Sequence, residues 1–171
     1  MRIHTHYLKT RRFDPEYVIE KYDLYFGNTV GNYRHCIIIP VFSDGQAVCF
    51  IAADCTRKRF KYKNSPKSIN VLSHSEVFYN LSNQNPIIIV EGIFDSWRID
   101  GIALMTKKIS AMQLKRIINR DVFIFLDPDA IEDANKLASM IFWCEPKIII
   151  SDKEPDDFES KEHFLKKLKK Y

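Results

Sequence analysis

Three short apolar runs in the second half of this chain each end abruptly in carboxylates. Ile87-Ile88-Ile89-Val90 runs into Glu91-Gly92, and residues 122–126, VFIFL, run into Asp127-Pro128-Asp129. Residues 147–150, KIII, run into a segment carrying Asp152, Glu154, Asp156 and Asp157. A continuous apolar run closed by a turn signal reads as a strand buried on both faces. Such strands belong to mostly parallel sheets, and there the chemistry gathers at the carboxyl ends of the strands. Glu91 stands where a catalytic or metal-binding carboxylate is expected. Gly92 permits a sharp turn beside it. Asp95 follows on the first turn of the next helix, within working distance of Glu91.

Size and composition narrow the field. The chain has 171 residues and is 46% hydrophobic, enough for one domain, or one domain with a small appended lobe. No apolar run is long enough to span a bilayer. The leading MRIHTHYLKTRRF has no apolar core of a secretory signal. Cys36, Cys49, Cys55 and Cys144 show neither CxxC pairing nor histidines at zinc spacing. Reduced, mostly buried thiols of a cytoplasmic protein are expected, with no zinc. Net charge is +4 overall, yet residues 1–70 carry 12 Lys/Arg against 6 Asp/Glu, and residues 71–160 carry 9 against 15. A basic half beside an acidic half suits a polyanion on one and divalent cations on the other, or two ordinary solvated faces.

Asp14-Pro15 predicts a helix start inside a small helix-turn-helix over 7–23. His4 and His6 precede it in a stretch expected to be disordered. Strands over 36–42 and 46–54 form a hairpin around Ser43-Asp44-Gly45. Next, Arg57, Lys58, Arg59, Lys61, Lys63 and Lys67 are interleaved with Phe60 and Tyr62. That pattern suits single-stranded nucleic acid, with cations on phosphates and rings under bases. It equally suits a strand edge guarded by lysines. A short helix is predicted over 75–81. Helices over 94–99, 110–119, 131–143 and 158–170 then alternate with strands over 87–90, 102–105, 122–126 and 147–150. Trp97 and Trp143 lie on helices in apolar company and are expected in the core. The fold class is α/β: a mostly parallel, Rossmann-like sheet with helices on both faces, preceded by a small basic α+β subdomain. The boundary is placed between 83 and 84.

Carboxylates gathered at one sheet end repel and raise one another's pKa unless a cation lies between them. Oxygen-only donors point to Mg²⁺ or Mn²⁺. Singly, each acid also fits a helix cap or a solvated loop. Together, the three groups favour a metal site.

Glu91-Gly-Ile-Phe-Asp95 followed by Asp127-Pro-Asp129 resembles the Toprim motif of primases, topoisomerases and some nucleases. Lys153-Glu-Pro-Asp-Asp157 is similar to the KDPDE segment of bacterial and phage DnaG-type DNA primases, with Glu154 in place of the first Asp. Lys61-Tyr-Lys-Asn-Ser-Pro66 resembles their KYxNSP segment, and residues 8–24 resemble their lead-in. The hairpin lies where that family has one. The resemblance covers nearly the whole chain in the family's order. It implies a minimal primase without the zinc-binding and helicase-binding domains, making RNA primers on single-stranded DNA from ribonucleoside triphosphates. It further implies Glu91 as catalytic carboxylate, as ligand or general base, and Asp127 and Asp129 as principal metal ligands. Asp95, Glu154 and Asp156 would complete a second group, so that more than one Mg²⁺ or Mn²⁺ ion is expected. Lys61 and Asn64 would face nucleotide or template. Arg34, Arg57, Lys58 and Arg59 join Tyr62, Lys63, Lys67 and Lys153 as further nucleic-acid or nucleotide contacts. A replicative helicase or a separate zinc-binding helper chain is an expected partner, in the cytoplasm of a bacterial or phage-infected cell. A Toprim nuclease, or a non-catalytic module binding single-stranded DNA or a helicase, is the alternative. The KYKNSP segment argues against the nuclease.

Overall fold

The structure, a computed structural model, describes residues 2–56, 62–82, 85–106, 108–159 and 161–168. It divides into two compact units, Met1–Ser73 and His74–Tyr171.

The first unit opens with helices α1 (Arg2–Thr10) and α2 (Pro15–Lys21). Asp14 caps α2 as its sequence predicts: the carboxylate accepts the Glu16 N–H at 3.1 Å, and Pro15 occupies the first helical position. An acid there satisfies an orphan donor and meets the positive end of the helix dipole. His4 and His6 lie on α1, not in a disordered terminus. His4 and Leu8, one turn apart, form its buried face. The His4 ring sits 4.8 Å from Phe26, and burial lowers its pKa, favouring the neutral form.

Strands β1 (Tyr25–Phe26), β2 (Cys36–Ser43), β3 (Gln46–Asp54) and β4 (Tyr62–Asn64) form an antiparallel sheet in that order. Ile37, Ile39, Val41 and Ile51 bury its apolar side. The β2–β3 turn is Asp44-Gly45, with φ of 52° and 78°. Two positive-φ residues make the tight turn whose twist matches a hairpin. Gly45→Ala meets no steric obstacle, since nothing lies within 4 Å of the added carbon. The left-handed backbone alone should lower stability by about 1–2 kcal/mol. Chemical denaturation checks this, and an unchanged midpoint would remove the strained-turn assignment.

In the second unit, β5 (Ile87–Val90), β6 (Ile102–Ala103), β7 (Val122–Ile124) and β8 (Lys147–Ile148) are all parallel, in spatial order β6-β5-β7-β8. Helices α3 (Ile93–Ile99), α4 (Ala111–Arg116), α5 (Ile131–Met140) and α6 (Lys161–Leu168) cover the sheet. Every residue of β5 is buried. Alternate strand residues point to opposite faces. Ile87, Ile89, Val122 and Ile124 therefore share one face, packed with Ala134, Leu137 and Ile141. Phe125 belongs to the other, against Phe158 and Phe164.

No helix forms over 75–81. Val77, Phe78 and Tyr79 are buried in extended backbone, and Tyr79 exchanges hydrogen bonds with Ala103 at 3.1 and 3.2 Å. Three adjacent apolar side chains with a sheet edge to pair against gain more from that edge than from a short helix. Phe78 also joins the core around Ile87 and Ile89, which ties this stretch to the second unit. Trp97 is buried as expected. Trp143 is 45% exposed, because α5 stops at Met140 and a 3-10 turn, Phe142–Cys144, swings the ring outward. All four cysteines are free, Cys36 and Cys49 buried. Among the described residues no helix is long and apolar enough to cross a membrane.

Candidate active site

The chain runs β5 to β6 on one side and β7 to β8 on the other. The order therefore turns back between β5 and β7, where a parallel sheet opens a crevice at its carboxyl end. Glu91 is the first residue after β5 and is exposed. Asp127 is the third residue after β7 and is partly buried. It caps the 3-10 turn Pro128–Ala130 through its backbone, with its carboxylate free of that role. Asp129, exposed, lies on the turn itself.

The third acidic group comes from the loop after β8. Glu154 is exposed and precedes the 3-10 turn Pro155–Asp157. Proximity shows in the electrostatics. Asp127 is raised above the ordinary carboxyl range by burial and then by the charges of Glu91 and Asp129. Glu154 is raised first by Asp127, then by burial and by Asp157, Asp156 and Asp129. Asp95 rises to about 7, mainly through burial and then through Asp127 and Asp156. Within this acidic pole, Asp127 thus influences Asp95 and Glu154 and is itself influenced by Glu91 and Asp129, while Asp156 influences Asp95 and Glu154.

Two of the six also have structural partners. Asp95 Oδ2 accepts the Gly92 N–H at 2.9 Å, closing the first turn of α3. Asp156 Oδ1 accepts from Arg98 at 3.3 and 3.4 Å. Sequence reasoning missed Arg98; its only local signal is a cation in the last turn of a largely buried helix.

Asp95 makes stability depend on pH. Its folded pKa lies above the ordinary 3.8, so the folded state holds this proton more tightly than the unfolded chain. Folding is therefore favoured at low pH, and that contribution is lost as pH rises through about 7. In chelator, the unfolding temperature should fall between about pH 4 and pH 7 and level off above that. Asp95→Asn keeps an oxygen for the Gly92 N–H and should flatten the slope. An equal slope in both proteins would assign the pH dependence elsewhere.

The donors are oxygen only, chemistry that fits Mg²⁺ or Mn²⁺ and not zinc. Among the described residues no group of three or more His, Cys, Asp or Glu is arranged to hold one ion. The pole is a set of facing carboxylates and not a closed cage.

The nucleic-acid candidates divide. Arg57, Lys58, Arg59 and Lys61 lie outside the described residues. On β4, Tyr62 and Asn64 are exposed and share one sheet face, while Lys63 points to the other and donates to the Asn32 carbonyl at 2.9 Å. Arg34, Lys67 and Lys153 are exposed. Ser65 of the KYKNSP segment is buried: its hydroxyl oxygen accepts the Phe50 N–H at 3.1 Å and donates to Asn70 Oδ1 at 2.6 Å.

No protein-family model matches the sequence, and no curated protein matches it in sequence. Solved structures that resemble it include two primase cores. The DnaG catalytic core superposes with a TM-score of 0.74 at 17% identity, covering 98% of this chain and 72% of that one. The E. coli primase catalytic core gives 0.76 at 16% identity, covering 99% and 73%. At such identities the likeness is one of architecture: this chain shares the fold of these primase catalytic cores.

Proposed function

We propose that this protein is a divalent-metal-dependent nucleotidyltransferase that makes short RNA primers on single-stranded DNA. One observation carries the reading: Glu91 and Asp127 leave the carboxyl ends of adjacent parallel strands at the switch point, in a fold shared with primase cores.

Glu91, Asp127, Asp129 and Glu154 would hold Mg²⁺ or Mn²⁺, with Asp95 and Asp156 behind them. Bound there, the cation neutralises charge on the triphosphate. Glu91, exposed at the end of β5, either ligates or takes the proton of the attacking hydroxyl. Tyr62 and Asn64 offer a ring and an amide to the polynucleotide, and Lys67 and Lys153 offer cations to its phosphates. Holding the hydroxyl and the α-phosphorus in line is the larger part of catalysis in such a reaction.

The test is labelled ribonucleotide incorporation on mixed-sequence single-stranded DNA with Mg²⁺ or Mn²⁺. Short labelled oligomers are the expected product. A degraded template without oligomers would transfer the site to a nuclease. Binding without either activity, persisting when a helicase or zinc-binding helper chain is added, would make this a non-catalytic module.

A further inference from the structure

We propose that Arg98 is a positioning residue that clamps the third acidic segment against α3, so that Glu154 faces Asp127 before any cation arrives. The proposal rests on the metal-binding reading above.

The geometry begins with the guanidinium. The Arg98 side chain is 8% exposed, and its Nε and Nη2 lie 3.4 and 3.3 Å from Asp156 Oδ1. A guanidinium does not lose its proton in a protein, so this is a fixed positive charge inside an acidic pole. Asp156 sits on the 3-10 turn Pro155–Asp157, whose Pro155 is buried. The turn is closed by the Asp157 N–H donating to the Glu154 carbonyl at 3.0 Å. Fixing Asp156 therefore fixes Glu154.

A second ion pair holds the other side of the segment. Asp100, the left-handed cap of α3 with φ of 56°, accepts Lys161 Nζ at 2.8 Å. Lys161 is the first residue of α6. Between the two pairs, Phe158 is buried against Phe125. The end of α3 thus grips the segment on both flanks. Without that grip, repulsion among the carboxylates would drive the segment away from Asp127.

The clamp also distinguishes the acids. Asp156 acts through Arg98 as a support, and Glu154 is the member of the third group presented to a cation. Outer partners that orient ligands typically alter metal affinity about 10–100-fold when removed.

The experiment titrates Mn²⁺ into the full-length protein and measures amide hydrogen exchange in chelator. Arg98→Met, of similar length and without charge, should weaken Mn²⁺ binding about 10–100-fold. It should also speed exchange at the Asp157 amide relative to the β5 and β7 amides. Arg98→Lys should recover part of both effects. Asp156→Asn should match Arg98→Met, and the double variant should lose nothing further. The proposal is overturned if Arg98→Met and Arg98→Lys leave affinity and exchange unchanged. It is also overturned if Asp156→Asn lowers Mn²⁺ affinity further in the Arg98→Met background, since Asp156 would then be a ligand in its own right. If the parent protein takes up no Mn²⁺, the metal reading fails, and the exchange data still decide the clamp.

Discussion

Asp127→Ala is expected to abolish ribonucleotide incorporation while leaving the protein at least as stable as its parent. Asp127 lies at the centre of the pole. It is the largest charge influence on Glu154, the largest on Asp95, and is itself raised by Glu91 and Asp129. A cation placed to meet the triphosphate supplies several kcal/mol of transition-state stabilisation. At 1.36 kcal/mol per decade, losing the ligand proposed at Asp127 should lower the rate about 10³-fold or more. The fold has little to lose. The Asp127 carboxylate caps nothing, and the turn after it is held by the Ala130 N–H donating to the Asp127 backbone carbonyl at 2.9 Å. Removing one of several repelling charges should raise the metal-free unfolding temperature slightly. Incorporation and melting are measured on the same preparation. Activity that survives in Asp127→Ala would move catalysis away from this pole. A collapsed unfolding temperature would turn the acid into a structural residue.

The pattern of the second unit was legible because burial on both faces leaves few options. A run such as Ile87-Ile88-Ile89-Val90, four residues long and closed by a turn signal, reads as a central strand, and the acid after it then falls at the carboxyl end. Asp14-Pro15 and Asp44-Gly45 were equally plain, since caps and tight turns are local chemistry. What stayed hidden depends on partners distant in sequence. Asp156 reads as a carboxylate without a protein partner until Arg98, 58 residues earlier, is seen on it. Val77-Phe78-Tyr79 reads as one helical face until Ala103 offers it a strand edge. His4 reads as terminal disorder until Phe26 covers its ring. In each case the local pattern fits two structures, and a tertiary contact chooses between them.

Phe125→Ala is expected to be the most destabilising change in the second unit, and to reach the acidic pole through packing. Phe125 is 1% exposed, and its N–H still pairs with Ile89 at 2.9 Å, so it prolongs the ladder between β7 and the Asp127 turn. Its ring stacks on Phe164 of α6 at 5.3 Å with planes 8° apart, and meets Phe158 edge-on at 5.8 Å. Phe158 and Phe164 also meet edge-on at 5.3 Å. Deleting a buried phenyl group removes its transfer energy and leaves a cavity, a loss of about 3–5 kcal/mol. That is a large fraction of the roughly 5–15 kcal/mol that holds a domain folded. The damage should be directional. Phe158 follows the acidic turn directly and Phe164 anchors α6, so amides over 154–166 should exchange faster before those of β5 do. Glu154 would then lose its fixed place opposite Asp127, and Mn²⁺ affinity should fall even though no carboxylate has been altered. Phe142→Ala is the control: that ring is 71% exposed, and its loss should stay within about 0.5 kcal/mol. Denaturant midpoints for the two variants, read beside their exchange maps, decide the matter. Equal midpoints, or uniform loosening of the second unit, would mean that the aromatic cluster is not what fastens the third acidic segment to the sheet.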